Sequence, residues 1–171
     1  HYQKTLTPVS SGGLSYAQGN ARISAQPDAA GDASTPTITA QIDNFLAGKT
    51  FGANDIVLLN GGISDLIAGM AAVRAGTLSS TDFVAQARLN GQALAAQVRR
   101  LVAAGAPHVV VSGTYDLGKT PWASTIGQTA LLNEASSRFN EALLVAINDL
   151  GEHVLYVDAA YYVNLYTSVP G

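Results

Sequence analysis

With 171 residues and a mass of 17.6 kDa, the chain has the size of one compact domain. Nine Lys and Arg against twelve Asp and Glu give a formal net charge of −3 and an isoelectric point near 5.4, so the basic excess that grips a nucleic-acid backbone is missing. Only 12% of residues are charged while 47% are hydrophobic, which excludes disorder driven by charge.

Cysteine is absent, and with it disulfides, thiolate metal sites and a cysteine nucleophile. Apolar runs such as Ile56 to Leu59 and Val109 to Val111 fall far short of the ~18 residues of a membrane span, which predicts a soluble chain. The opening His1-Tyr2-Gln3 has no Met and no basic-then-apolar targeting segment, so a processed product or a piece of a longer protein is expected.

Residues 1–36 are rich in Gly, Ser, Thr, Pro and Ala without a sustained period, and they read mostly as loop. After Thr35-Pro36, the residues Ile38, Ile42, Phe45 and Leu46 recur at helical spacing and predict a three-turn helix that ends at Gly48. Asp55 to Asn60 is a short apolar run closed by Gly61-Gly62, the pattern of a strand buried on both faces, with a helix expected from about Leu66.

From Thr81, the stripe Val84, Ala87, Gly91, Leu94, Val98 and Leu101 predicts a long helix stopped by Gly105-Ala106-Pro107, and His108 to Ser112 reads as a second buried strand. Leu131, Ala135, Phe139, Ala142, Leu143, Ala146 and Leu150 define another helix, resumed only after Gly127 and ended by Gly151. A third strand follows at His153 to Val157. Apolar strands separated by helix-containing connections predict a parallel sheet in a layered α/β sandwich.

In such sheets ligands gather beyond the carboxyl ends of the strands, which assigns Ser64, Asp65, Asp116 and Asp158 to the functional rim. His108 and His153 open their strands at the opposite edge and are out of reach as a base, and His1 is a chain end. No Gly-x-Ser-x-Gly nucleophile elbow occurs, because Gly62-Ile63-Ser64 continues with Asp65-Leu66. Ser64 therefore suits hydrogen-bond donation to an oxyanion, or alternatively a helix N-cap with Asp65 stabilising the helix dipole. The run Gly113-Thr114-Tyr115-Asp116-Leu117-Gly118-Lys119-Thr120 matches a phosphate-loop pattern by letter and leaves nucleotide binding as a minor alternative. Pro121 argues against it by disfavouring helix at Thr120, where that loop needs its helix to begin. Asp116 would also put a carboxylate in a nest meant for triphosphate.

Four segments together resemble a known family: Gly12 to Arg22, Leu59 to Leu66, Asp116 to Pro121, and Phe139-Asn140 before the last strand. They resemble the bacterial GDSL esterases and lipases, the SGNH hydrolases, over roughly residues 6 to 171. The resemblance implies a flavodoxin-like three-layer α/β/α fold and hydrolysis of carboxylic esters through a serine nucleophile, without a cofactor or metal. It implies a small-molecule or lipid ester as substrate and a secreted or periplasmic location. By position, Gly19 stands for the glycine donor of the oxyanion hole and Ser64 for the asparagine donor. Asn20 stands where a second glycine is common, and Ser64 is shorter than asparagine, so its hydroxyl would meet the oxyanion through a water. Tyr115, Trp122 and Tyr162 are candidates for an acyl pocket, and Asp65 and Asp116 for binding.

The Gly-Asp-Ser motif with the nucleophile and the Asp-x-x-His motif with the base do not occur in these residues. The expectation is accordingly an incomplete domain spanning 1–171 whose first central strand is missing, leaving Ile56 to Asn60 as an unpaired apolar edge. Such a chain alone is expected neither to hydrolyse esters nor to be comfortable in water. Its missing parts would come from elsewhere in the polypeptide or from a second chain. A non-catalytic binding module on the same architecture is the alternative that Ser64 motivates.

Overall fold

The computed structural model describes residues 6–167; His1 lies outside them. The first helix, α1 (Ile38–Leu46), starts where Thr37 accepts the Ala40 N–H on its hydroxyl at 3.1 Å. Strand β1 (Ile56–Asn60) leads through Gly61-Gly62 into α2 (Ile63–Arg74), and Ser79 caps α3 (Ser80–Ala103) through the Asp82 N–H at 3.0 Å. Strand β2 (His108–Ser112) is followed by a short turn of tight helix at Leu117–Lys119, α4 (Pro121–Thr125) and α5 (Thr129–Ile147). Strand β3 (Val154–Val157) and α6 (Ala159–Thr167) complete the described chain.

The three strands form one parallel sheet in the order β1-β2-β3, with Ile56 opposite His108 and Val109 opposite Val154. This is the expected α/β architecture. Paired residues of parallel strands point to the same side, so the register assigns every strand residue to a face. Val109 and Val111 are fully buried on the side covered by α3 and α5, whose buried stripe runs Phe83, Ala87, Gly91, Leu94, Val98, Leu101 and Leu132, Ala135, Phe139, Leu143, Ile147. Gly91 lets the two helices touch, since a Cβ there would stand 2.2 Å from the Phe139 carbonyl oxygen.

The other face differs from expectation at β1, which is not buried on both sides. Ile56, Leu58 and Leu155 are 63%, 64% and 62% exposed, and nothing among the described residues covers them. An apolar run without alternation reports only that a strand is hydrophobic; which face is covered depends on the layers around it. Three further boundaries move. The helix after β1 begins at Ile63 rather than near Leu66, a helix occupies Pro121–Thr125 before Gly127, and α6 follows Asp158 directly. Thr120 is extended, as the proline after it requires, and Pro121 itself opens that helix because the first helical position needs no N–H.

Candidate active site at the carboxyl end of the sheet

The turn from β1 into α2 is shaped by what packs behind it. Gly62 has φ +108°, and a Cβ there would lie 2.3 Å from the Phe139 ring; a Cβ on Gly61 would lie 2.6 Å from Ile38. Gly62 is therefore dictated by the Phe139 ring and by its backbone conformation together, whereas at Gly61 the nearest atom is the movable end of the Ile38 side chain. Gly62 is the N-cap of α2, which corrects the N-cap reading of Ser64. Ser64 sits half-buried in the first turn instead.

Asp65 follows it in that turn, but its side chain does more than face the helix end. It is 3% exposed, accepts the Ile23 N–H on Oδ2 at 3.1 Å and the Arg22 Nε–H on Oδ1 at 3.4 Å. Burial pushes the Asp65 carboxyl above the usual carboxylate range, against the pull of the Ile23 N–H and the Arg22 guanidinium. Ile23 is fully buried, and its carbonyl receives the Thr39 N–H and hydroxyl, while the Arg22 carbonyl receives the Ile38 N–H. The segment that carries Gly19 is thereby joined to the starts of both α1 and α2. Gly19 is exposed within a turn whose next residue, Asn20, has φ +61°. Asparagine tolerates that left-handed conformation better than other side chains, which accounts physically for Asn where a second glycine is common.

The loop after β2 is held from α5. Asn140 bridges both backbone groups of Thr114, Ser136 Oγ accepts the Leu117 N–H at 3.2 Å, and Asp116 accepts the Gly118 N–H at 3.1 Å. Turning the Asn133 amide so that its nitrogen faces Asp116 places a donor 2.9 Å from the Asp116 Oδ2. The N–H groups of Lys119 and Thr120 go to the carbonyls of Asp116 and Leu117, and Thr120 is extended at φ −78°, ψ 150°. With the N–H groups of Thr114 and of 117–120 all engaged and Lys119 exposed, this loop is no phosphate cradle. The phosphate-loop letters spell an ordinary strand-to-helix connection.

An open cleft of about 320 Å³ lies beside this loop, lined by polar groups of α5 together with Asp116, Tyr156 and Asp158. Burial, and secondarily Asp158, pushes the Tyr156 phenol up to about 12, so it stays a hydrogen-bond donor across the physiological range. Tyr156 was not singled out by its sequence; the signal was its place in β3, where it pairs with Val111 and so faces the helical side. Of the candidates, the cleft takes in Asp116 and Asp158 but not Gly19, Ser64, Asp65, Tyr115 or Trp122. Tyr115 and Trp122 are half-buried against the core, and Tyr162 stands exposed on α6 edge-on to Tyr161. Asp158 accepts the Tyr161 N–H at 2.8 Å, at the entry to α6. His108 opens β2, and His153 Nδ1 lies 3.2 Å from the Pro107 carbonyl oxygen, both at the edge away from Ser64.

Among the described residues no group of three His, Asp or Glu side chains is arranged to hold a metal ion, and no helix is long and apolar enough to cross a membrane. No curated protein sequence matches the chain. The family model for the GDSL-like lipases and acylhydrolases matches residues 13–169, from the Gly19 segment through α6. A match of that extent, over a parallel sheet with its polar turns at the carboxyl ends of the strands, makes the chain a member of the GDSL-like lipase/acylhydrolase family.

Proposed function

We propose that the chain forms the oxyanion-binding part of a secreted or periplasmic carboxylic ester hydrolase that acts on small-molecule or lipid esters. The nucleophilic serine and the histidine and aspartate that serve it belong to motifs outside these 171 residues. In the assembled site the serine oxygen attacks the acyl carbon and passes its proton to the histidine. The negative oxygen of the tetrahedral intermediate is received by the Gly19 N–H and, directly or through a water, by the Ser64 hydroxyl. The histidine returns the proton to the leaving alcohol. Water then attacks the acyl-serine, releasing the carboxylic acid and restoring the serine.

The observation that supports this reading is the joining of two segments far apart in the sequence: Asp65, next to Ser64, accepts the Ile23 N–H and the Arg22 Nε–H of the segment that carries Gly19. Two observations support the second part of the proposal, that additional polypeptide, from the same protein or a second chain, pairs beside β1 and covers the open face: β1 is an edge strand, and Ile56, Leu58 and Leu155 are exposed. Incubation of the intact protein with a short-chain chromogenic ester and an organophosphate probe tests it. Turnover with one labelled serine beyond these residues is expected. Neither turnover nor label, in protein carrying both catalytic motifs, would reject hydrolysis in favour of a non-catalytic binding module, the reading that serine in place of asparagine at position 64 favours.

A further inference from the structure

Asp65 is costly where it stands. A carboxylate in the first turn of a helix already gains from the helix dipole while remaining in water, so burial adds nothing on that account. Taking the charge out of water is unfavourable unless partners replace its hydration, and buried ion pairs contribute little net stability even when well formed. What such a pair does supply is fixed geometry. Here its oxygens divide between two consecutive residues of a distant segment, the Ile23 N–H at 3.1 Å and Arg22 Nε at 3.4 Å, and the Arg22 guanidinium also reaches the Pro27 carbonyl at 3.4 Å. The Asn20 carbonyl is meanwhile fixed by the Ala29 N–H at 3.1 Å. The turn that presents Gly19 is thus held on its downstream side by Asp65 and Arg22, and Asp65 is the immediate neighbour of Ser64.

We propose that Asp65 and Arg22 are positioning residues: their pairing holds the Gly19-Asn20 turn against the first turn of α2, so that donors from the two segments meet one oxyanion. The assignment rests on the ester-hydrolase reading for its purpose, while the clamp itself is a property of the fold. Substitution by asparagine separates the two roles that a buried aspartate can have. Asp65→Asn keeps an acceptor for the Ile23 N–H but removes the charge facing Arg22.

The test compares Asp65→Asn, Arg22→Gln and the double variant in the intact protein, with a short-chain chromogenic ester and urea unfolding. Each single variant should lower kcat about 10-fold with KM changed less than about twofold, the signature of an interaction made to the transition state. The double variant should lose little more than either single one, because both remove the same clamp. The urea midpoint of Asp65→Asn should not fall. A kcat within about twofold of the parent, or losses that multiply in the double variant, would overturn the proposal. If the parent protein neither turns over ester nor takes up an organophosphate, the functional reading fails and the clamp is decided separately by backbone amide resonances. Asp65→Asn should displace Gly19 and Asn20 as well as Ser64; displacement of Ser64 alone would show that no clamp exists.

Discussion

Asn140 satisfies Thr114 twice: its Oδ1 accepts the Thr114 N–H at 2.9 Å while its Nδ2 donates to the Thr114 carbonyl at 2.7 Å. Thr114 is fully buried just past the end of β2, so its backbone groups have no recourse to water. The amide of one α5 residue therefore fixes where the strand exit points, and only a side chain with one donor and one acceptor fits both groups. Asn140→Leu should cost about 2–6 kcal/mol, from two buried groups left unpaired at about 1–3 kcal/mol each. Urea unfolding measures it; a loss below about 0.5 kcal/mol would mean that the exit loop repairs itself.

Gly62 answers to two constraints that a double substitution can separate. Its φ of +108° disfavours any side chain, and a Cβ would also meet the Phe139 ring at 2.3 Å. Gly62→Ala should destabilise by about 3 kcal/mol or more, combining overpacking with a strained backbone. Adding Phe139→Leu should recover the steric part only, so the pair should be less destabilised than the sum of its singles. Strict additivity would show that the backbone term acts alone.

The elements legible from residue order were those with a full stripe or a complete apolar run. The α3 residues from Ala87 to Leu101 fall where their period placed them, and β2 has its expected bounds. What was not legible depended on neighbours. Ile56 and Leu58 look like core until the register shows that both face away from α3 and α5. Helix α6 is not legible because its tyrosines are indifferent helix formers and its start signal, Asp158, has equally the place of a rim residue. At the site, Ser64 and Asp65 could be found from Gly61-Gly62 after a strand. The partner of Asp65 could not, because nothing local to residue 65 says that Ile23 returns to it. Tyr115 and Trp122 likewise carry no mark that separates a pocket wall from packing.

Two buried aspartates should respond oppositely to pH. Burial raises the Asp65 carboxyl, so the stability it contributes is present below the ordinary carboxylate range and is lost as pH rises through its elevated value. Asp28 is held low, first by the Asp32 N–H and then by the Thr35 hydroxyl, so its contribution is present above that range and is lost as pH falls through its depressed value. From acid to neutral pH, Asp65→Asn should gain stability relative to the parent and Asp28→Asn should lose it. Urea unfolding across that range checks the signs, and curves that run parallel to the parent would refute both.

The uncovered face gives a prediction about the 171-residue chain by itself. Leu58 and Leu155 flank Val110 on that face, each more than three-fifths exposed, and form the kind of apolar patch that recruits a partner or self-associates. The chain should bind a hydrophobic dye and scatter light increasingly with concentration. Leu58→Glu with Leu155→Glu should reduce both without lowering helix content. In a protein where further polypeptide covers this face, the same pair should instead destabilise by several kcal/mol, of order 1–3 kcal/mol for each buried polar replacement. Identical behaviour in both settings would show that this face stays open.

Ser64 offers the most direct chemical test of the proposed oxyanion site. A hydroxyl has a shorter reach than a carboxamide, so if Ser64 meets the oxyanion through a water, extending the side chain should replace that water with a direct donor. Asparagine adds no branch at Cβ and is tolerated in a first helical turn, so the change should leave the fold intact. Ser64→Asn in the intact protein should raise kcat, by up to about 10²-fold if the present donor is nearly ineffective, because one good oxyanion donor is worth about 10²–10³ in rate. Ser64→Ala should lower it, and by less than that figure, since only a weak donor is removed. An unchanged rate in Ser64→Asn together with an unchanged rate in Ser64→Ala would place the oxyanion elsewhere and leave the Gly19 N–H without its proposed companion.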